Sequence, residues 1–144
     1  MYKHTQIGWV VIFSLEAVFL LLFFGVLHSD PKAVMLFAFI MFMMALTFVT
    51  LTVSVTAEYI DLIFGIGLVR MHIKINEIVS SQIVTNKWWY GFGIHGWWGK
   101  GWLLNVSGLN AVQLKMKNGM FYRIGTDEPE KLYDAIQRRI NNKY

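Results

Sequence analysis

The sequence predicts a membrane-anchored α+β protein, in which a transmembrane helical hairpin precedes a small antiparallel β-sandwich or barrel closed by a C-terminal helix. Two observations carry this prediction. Of the 144 residues, residues 7–55 contain three Asp, Glu, Lys or Arg residues and one histidine. From residue 56 onward, eleven Lys/Arg and seven Asp/Glu accompany short β-branched runs, as in soluble domains. We therefore divide the chain into a hairpin, 1–53, and a β domain, 54–144.

The first predicted helix covers residues 7–27, an almost unbroken apolar run. At about 1.5 Å per residue, such a run spans the roughly 30 Å hydrocarbon core of a bilayer. A signal peptide is the competing interpretation because Lys3 provides a basic start. The run is too long for the apolar part of a signal peptide, and a second apolar run follows at once, which favours a retained helix.

The second predicted helix covers residues 33–53, after the connection HSDPK. Asp30-Pro31 indicates a turn, since proline disfavours helical geometry in the residue before it. So short a connection makes the two helices antiparallel. The connection carries one cation, Lys32, whereas the C-terminal part carries eleven, which predicts that both termini face the cytoplasm. The protein is then an integral, multi-pass membrane protein.

One acid, Glu16, lies near the middle of the first helix. An acid there costs on the order of 3 kcal/mol, and the surrounding Leu, Ile, Phe and Val residues outweigh it. It indicates either a proton or ion relay, or a hydrogen bond between helices, for which Thr47 on the second helix is the predicted partner. Neither span offers a second ionisable group, which favours the hydrogen bond.

About seven strands follow the hairpin. Residues 50–56 alternate polar and apolar side chains, which is the period of a strand. Asn118-Gly119 predicts a two-residue hairpin turn between the last two strands. The predicted strands are 50–56, 58–64, 67–75, 77–85, 101–107, 110–117 and 120–124.

The last predicted element is an amphipathic helix. Asp127 and Glu130 have the spacing of a capping box, and Pro129 lies in the first turn, where its missing N–H is not needed. Leu132, Ile136 and Ile140 form one apolar stripe, which we expect to close one side of the β domain.

The segment GWLLNVSGLNAVQLKMKNGMFYRIGTDEPEKLYDAI, residues 101–136, resembles small membrane-anchored bacterial PH-domain proteins, as does WWYGFGIHG upstream. His95 stands where that family has an arginine, and Leu104 where it has a tyrosine. The resemblance covers residues 51–141. It implies a PH-like fold of seven strands and a C-terminal helix, in the bacterial cytoplasmic membrane. It also implies a non-enzymatic protein and supplies no catalytic residues.

The segment KWWYGFGIHGWWGKGW, residues 87–102, contains five of the six tryptophans. Its GFGIHG matches the dinucleotide-binding glycine pattern, but neither the helix nor the acid that this site requires follows it. Gly99-Lys100 does not form a phosphate-binding loop, because Gly101 replaces the required Ser or Thr. A nucleotide site is therefore excluded.

The same segment is the best candidate for a contact surface. Single-stranded nucleic acid needs a basic groove beside the aromatic residues, which two lysines do not provide. Interfacial tryptophans suit a domain tethered to a bilayer better. We expect Trp102 to pack in the core. The candidate lipid or partner contacts are Lys87, Trp88, Trp89, His95, Trp97, Trp98 and Lys100.

No enzyme chemistry is apparent. The chain has no cysteine, and its four histidines, His4, His28, His72 and His95, lack metal-ligand spacing. We expect no cofactor and no metal. The sequence thus predicts a non-enzymatic binding or scaffolding module at the inner membrane face, which recognises lipid headgroups or a protein partner, including a further copy of itself. The alternative is a subunit of a transport, channel or other membrane complex that uses the hairpin and Glu16.

Overall fold

The computed structural model describes residues 1–26, 30–97 and 100–142, which form three α-helices and nine β-strands. The helices are α1 (Trp9–Val26), α2 (Pro31–Phe48) and α3 (Pro129–Asn141). The strands are β1 (Tyr2–Ile7), β2 (Thr50–Val55), β3 (Tyr59–Phe64), β4 (Val69–Lys74), β5 (Ile78–Thr85), β6 (Gly93–Trp97), β7 (Gly101–Asn105), β8 (Asn110–Met116) and β9 (Phe121–Gly125). The seven predicted strands and the C-terminal helix are confirmed.

The strands form two sheets rather than one continuous barrel. The first sheet has the order β1-β2-β3-β4 and is antiparallel throughout. The second has the order β5-β8-β9-β7-β6. Its central pair β7–β9 is parallel, which the prediction of an antiparallel domain did not include. Gly101 permits this pairing, because a Cβ added there would lie 1.7 Å from the carbonyl oxygen of Phe121.

Two strands are additional to the predicted set. β1 pairs with β2 along its whole length, from Tyr2 opposite Val55 to Ile7 opposite Thr50. The first sheet therefore takes strands from both sides of the helical hairpin, and the predicted division at residue 53 runs through β2. The other strand, β6, is an edge strand on β7. Its two glycines give it little intrinsic strand preference, so the pattern of its sequence does not reveal it.

The second helix is shorter than predicted, because it ends at Phe48 and not at residue 53. The alternating residues 50–55 form a strand instead of continuing the helix. Leu51, Val53 and Val55 are buried, and β2 is hydrogen bonded to a strand on each side. At the start of α2, the N–H of Lys32 donates to Asp30 Oδ1 (3.0 Å). The last residue of the predicted first helix, 27, and the first two residues of the predicted connection, 28 and 29, lie outside the described part of the chain.

Both N-terminal helices expose apolar side chains over most of their surface, apart from the strip where they contact each other. Leu20, Leu21, Phe23 and Phe24 of α1 are all more than half exposed, although successive residues point about 100° apart. Helix α2 has no buried residue. Among the described residues, one helix, Pro31–Phe48, is long and apolar enough to cross a membrane, whereas the apolar stretch Trp9–Phe24 is shorter. A multi-pass arrangement stays a prediction.

The core lies between the two sheets and α3 and is almost entirely aliphatic. Phe64 is its one buried aromatic residue among the described part of the chain. From α3, Leu132 and Ile136 are fully buried and Ile140 packs against the core, as the predicted stripe requires. The remaining members are Leu51, Val53, Val55, Ile60, Leu62, Ile73, Ile75, Ile78, Leu104, Val106, Val112, Leu114, Met116 and Ile124.

The predicted capping box of α3 is wrong. The N-cap residue is Glu128, whose side chain makes no capping hydrogen bond, while its own N–H donates to Thr126 Oγ1 (3.1 Å). Asp127 is instead 2.6 Å from His4 Nε2 on β1. The acid that sequence spacing assigned to a local cap is thus used in a contact between distant segments. Pro129 begins the helix, as predicted.

Both N-terminal helices leave the first sheet at the same end, since α1 follows β1 and α2 precedes β2. We call this the helix-side end and the opposite end the far end. The β7–β8 turn of the second sheet also lies at the helix-side end: Gln6 Nε2 donates to the carbonyl oxygen of Ser107 (2.8 Å), and Gly8 abuts Val106. The predicted hairpin between β8 and β9 is confirmed at the far end, but its connection has three residues, 117–119, rather than two: the N–H of Met116 donates to the carbonyl oxygen of Met120, and the N–H of Gly119 donates to that of Met116.

Candidate contact surface at the helix-side end

The tryptophan segment begins with a short turn after β5. Strand β5 ends at Thr85, which pairs with Asn110, so the chain leaves the sheet beside the β7–β8 turn. Residues Trp88–Tyr90 then form one turn of 3₁₀ helix. Gly91, with φ of 79°, ends this turn in a conformation that glycine adopts at little cost. The segment therefore folds back at the helix-side end.

Asn86 fixes the start of this turn to the sheet. Its side chain is buried, and its N–H donates to the carbonyl oxygen of Leu109 (2.6 Å). Its Oδ1 accepts a hydrogen bond from Arg123 Nη1 on β9 (3.2 Å). The backbone and the side chain of Asn86 are thus hydrogen bonded to two different segments, which holds the backbone of the turn in one place.

Arg123 supports the turn from below. Its Nε donates to Gln113 Oε1 on β8 (2.7 Å), and its guanidinium carbon lies 5.7 Å from the ring centroid of Tyr90. Tyr90 also accepts a side-chain hydrogen bond from it. Burial lowers the pKa of Arg123, while Tyr90 partly offsets that effect. Arg123 is therefore a structural cation that links β8, β9 and the aromatic turn.

Three side chains of the turn form what we call the aromatic-basic cluster: Lys87, Trp88 and Trp89. Trp88 is 73% exposed and Trp89 is 60% exposed. Their rings meet edge to face, with centroids 5.8 Å apart, and the Lys87 ammonium lies 5.0 Å from the centroid of Trp89. Two large apolar side chains in water with a cation beside them are typical of a surface that contacts something else.

The structure divides the sequence-predicted contact residues between two ends of the second sheet. The start of β6, Gly93, pairs with Asn105 at the helix-side end, and its last residue, Trp97, pairs with Gly101 at the far end. At about 3.4 Å per residue, the two ends of β6 are roughly 14 Å apart. Lys100 follows at the far end, where its carbonyl accepts from Phe121 N–H. Lys87 and Lys100 therefore do not share one surface.

The other predicted residues have separate positions. His95 is exposed on β6, and its ring nitrogen Nε2 contacts the carbonyl oxygen of Phe92, so it braces the loop before the strand. Trp98 and the side chain of Trp97 lie outside the described residues. Trp102, which was expected in the core, is 38% exposed at the far end of β7, beyond the core residue Leu104.

Glu16 and Thr47 are not partners. The Thr47 hydroxyl donates to the carbonyl oxygen of Met43 in its own helix (2.8 Å). The helix ends, Val26 and Pro31, place Glu16 near the level of residue 41, which is about 9 Å from Thr47 along α2. Glu16 is exposed, and its side chain has no hydrogen bond or ion pair to another residue in the described ranges.

Two of the histidines, His4 and His72, pair with acids on other segments. His72 Nδ1 lies 2.6 Å from Asp61 Oδ1 on the neighbouring strand β3. His4 contacts both Asp127 (2.6 Å) and Glu128 (3.5 Å), which ties β1 to the start of α3. Within residues 1–26, 30–97 and 100–142, no group of three or more His, Cys, Asp or Glu could hold a metal ion. These pairs join elements and do not form a metal centre.

Comparison of the sequence with family models and with curated proteins gives no match. The resemblance to membrane-anchored PH-domain proteins thus stays a prediction. The role of Arg123 was not predicted from the sequence, because its contacts depend on the pairing of β8 with β9, which places it beside Gln113. It also treated residues 87–102 as one surface, because the strand β6 inside that segment is too rich in glycine to be recognised.

Proposed function

We propose that this chain is a membrane-anchored, non-enzymatic binding or scaffolding module, with a PH-like β region at the inner membrane face that recognises lipid headgroups or a protein partner. The observation that carries the proposal is the pair of N-terminal helices with exposed apolar side chains over most of their surface. A helix of this kind needs apolar surroundings all round, and in water its exposed surface is unfavourable by about 25 cal/mol per Å².

The arrangement of the β region supports the binding role. Two sheets with a C-terminal helix across their core are also what a PH-like fold implies. The aromatic-basic cluster is the candidate contact site, and the buried links from Arg123 and Asn86 hold its backbone in place. A rigidly placed aromatic pair loses little conformational entropy when it binds. That the chain needs no cofactor and catalyses no reaction stays a prediction.

The absence of cysteine from the sequence permits a direct topology experiment. Single cysteines at Ala33, at the start of α2, and at Lys115, on β8, are both at exposed positions. In intact cells, a membrane-impermeant thiol reagent should label Ala33→Cys but not Lys115→Cys. Lys115→Cys should be labelled only after the cells are permeabilised. Equal labelling of both before permeabilisation, or release of the protein from membranes by alkaline carbonate, would contradict the proposal.

A second candidate function is a subunit of a transport, channel or other membrane complex. The observation that favours it is Glu16, an exposed acid on an apolar helix without a side-chain partner in the described residues. Acids in such positions face a polar path or another subunit far more often than lipid. A homo-oligomer or a different membrane protein could supply that surface.

Cysteine accessibility distinguishes this candidate from a lipid-facing helix. Ala17→Cys lies next to Glu16, and Phe39→Cys is an exposed control on α2. Rapid reaction of Ala17→Cys with a charged thiol reagent, at several times the rate of Phe39→Cys, would support a water-filled path. Equal slow reaction of both, with unchanged assembly of Glu16→Gln, would contradict it.

A further inference from the structure

The helix-side end of the β region exposes apolar side chains from three separate turns. Ile66 (65% exposed) and Leu68 (59%) lie in the β3–β4 turn. Leu109 lies in the β7–β8 turn, and Trp88 and Trp89 follow β5. Each turn belongs to a different hairpin or connection, so local sequence alone does not explain why all three carry large apolar residues at the same end.

The β3–β4 turn is fixed against the end of α2. The N–H of Ile66 donates to the carbonyl oxygen of Leu46 (3.1 Å), and the N–H of Gly65 donates to that of Thr50 (2.8 Å). Gly65 has φ of 52°, and a Cβ added there would lie 1.8 Å from the Leu46 oxygen. Ile66 and Leu68 are therefore held directly beside the helix that is long and apolar enough to cross a membrane.

The other two turns continue the same surface. Gly8, where α1 begins, abuts Val106, and Gln6 donates to the carbonyl oxygen of Ser107. Leu109, two residues farther along, accepts the N–H of Asn86, from which the aromatic-basic cluster extends. An unbroken series of contacts therefore leads from the start of α1 to Trp88 and Trp89.

Cations accompany these apolar residues. Arg70, at the start of β4, is exposed and donates from Nε to the carbonyl oxygen of Gly67 in the β3–β4 turn (3.1 Å). Lys87 is exposed beside Trp89. The acids that follow β9, Asp127 and Glu128, are each engaged by His4. Exposed cations beside exposed aromatic and aliphatic side chains suit the interfacial layer of an anionic bilayer. There the cations can contact lipid phosphates, and the apolar side chains can contact the upper acyl chains.

We propose that the helix-side end is a membrane-contact surface: Ile66, Leu68, Leu109, Trp88 and Trp89 enter the headgroup layer of the bilayer that anchors the chain, while Arg70 and Lys87 bind the phosphates of anionic phospholipids. This inference rests on the proposed function and specifies anionic phospholipid, rather than a protein partner, as the ligand of this surface. The far end, with Lys100 and the Asn118-Gly119 turn, then faces the cytoplasm. The β region is thereby oriented by three turns as well as by its two helical attachments.

The test uses the full chain with one cysteine, labelled with an environment-sensitive fluorophore and reconstituted in phosphatidylcholine vesicles with or without phosphatidylglycerol. Leu68→Cys and Trp89→Cys report the helix-side end, and Asn118→Cys reports the far end. Lipids brominated on the upper acyl chain should quench the first two labels and leave the third unquenched. Leu109→Cys provides a third site on the surface if either of the first two variants does not fold.

A separate experiment tests the two cations. The double variant Arg70→Gln with Lys87→Gln should reduce, roughly threefold or more, the extra quenching that phosphatidylglycerol produces, because cations near an anionic membrane surface strengthen the contact with it. The matched control is Lys74→Gln with Lys115→Gln, which should leave the extra quenching unchanged. Equal effects of the two pairs would overturn the role assigned to Arg70 and Lys87.

The outcomes separate this inference from the proposed function. If alkaline carbonate releases the chain from vesicles, the anchored module itself is refuted. If the chain stays integrated while the labels at Leu68 and Trp89 are no more quenched than at Asn118, the membrane-contact surface is refuted and the anchor stands. Labels that become shielded in native membranes but not in vesicles would show that a protein covers this end, which would also overturn the inference.

Discussion

Arg123 lies beneath the ring of Tyr90, with its guanidinium carbon 5.7 Å from the ring centroid. The same side chain donates to Gln113 on one side and to Asn86 on the other. One cation thus connects two strands of the second sheet to the turn that presents Trp88 and Trp89. The exposed aromatic pair depends on a half-buried network beneath it, and the network can be tested separately.

Arg123→Met should lower the free energy of unfolding by about 1–3 kcal/mol, because Asn86 and Gln113 lose a charged donor while the aliphatic packing is kept. It should also increase the exposure of Tyr90. Denaturant unfolding in detergent, followed by circular dichroism, gives the stability. Arg138→Met, on an exposed position of α3, is the control and should change it by less than about 0.5 kcal/mol. Equal losses in both variants would argue against the network.

Gly101→Ala should prevent the parallel pairing of β7 with β9. Its Cβ would lie 1.7 Å from the carbonyl oxygen of Phe121, a backbone atom at the start of β9, the central strand of the second sheet. We expect a loss on the order of 4 kcal/mol or more, or no folded protein. Gly96→Ala is the matched control on the neighbouring strand, because no atom lies within 4 Å of an added Cβ.

Gly96→Ala should be neutral, or stabilising by up to about 1 kcal/mol, since alanine restricts the unfolded chain. The yield of monodisperse protein and the midpoint of thermal unfolding measure both variants. Normal folding of Gly101→Ala would contradict the close approach of these strands.

Much of the fold follows from patterns that are local in the sequence. The alternation of Leu51, Val53 and Val55 predicts β2, and the spacing of Leu132 and Ile136 predicts the buried face of α3. β1 could not be predicted in this way, since its polar residues make sense only opposite β2. The end of α2 was placed too late because threonine and valine suit both a helix and a strand, and the pairing of β2 decides between them.

The candidate site was predicted in part. Exposure of Trp88 and Trp89 agrees with their expected contact role, whereas the tryptophan segment as a whole does not form one surface. The expectation that Trp102 fills the core rested on the need of a small domain for large side chains. The two sheets meet that need with buried Leu, Ile and Val residues from seven strands, β2–β5 and β7–β9, and from α3. Contributions from Arg70 and Leu109 depend on how turns meet in space, which sequence spacing does not encode.

Leu104→Ala should destabilise the protein by about 2–5 kcal/mol, because it removes a fully buried side chain from a packed core. Leu68→Ala is the matched control, since Leu68 is 59% exposed and should contribute less than about 0.5 kcal/mol in detergent solution. Denaturant unfolding of both variants by circular dichroism makes the comparison. A large loss in Leu68→Ala would show that this side chain packs within the protein and is not free to contact lipid.

Tyr2 should make the fold sensitive to strong alkali. Burial, followed by the charges of Glu128 and Asp127, raises its pKa to about 12, against about 10 in an unfolded chain. The folded state therefore favours the neutral phenol, so this contribution to stability is fully present below about pH 10 and is lost as the pH rises through about 12.

Tyr2→Phe keeps the ring and cannot ionise, so its thermal midpoint should fall less than that of the wild type over this pH range. Tyr59→Phe, at an exposed position on β3, is the control and should follow the wild type. If the three proteins lose stability in parallel between pH 10 and 12, the phenol of Tyr2 is not held neutral by the fold.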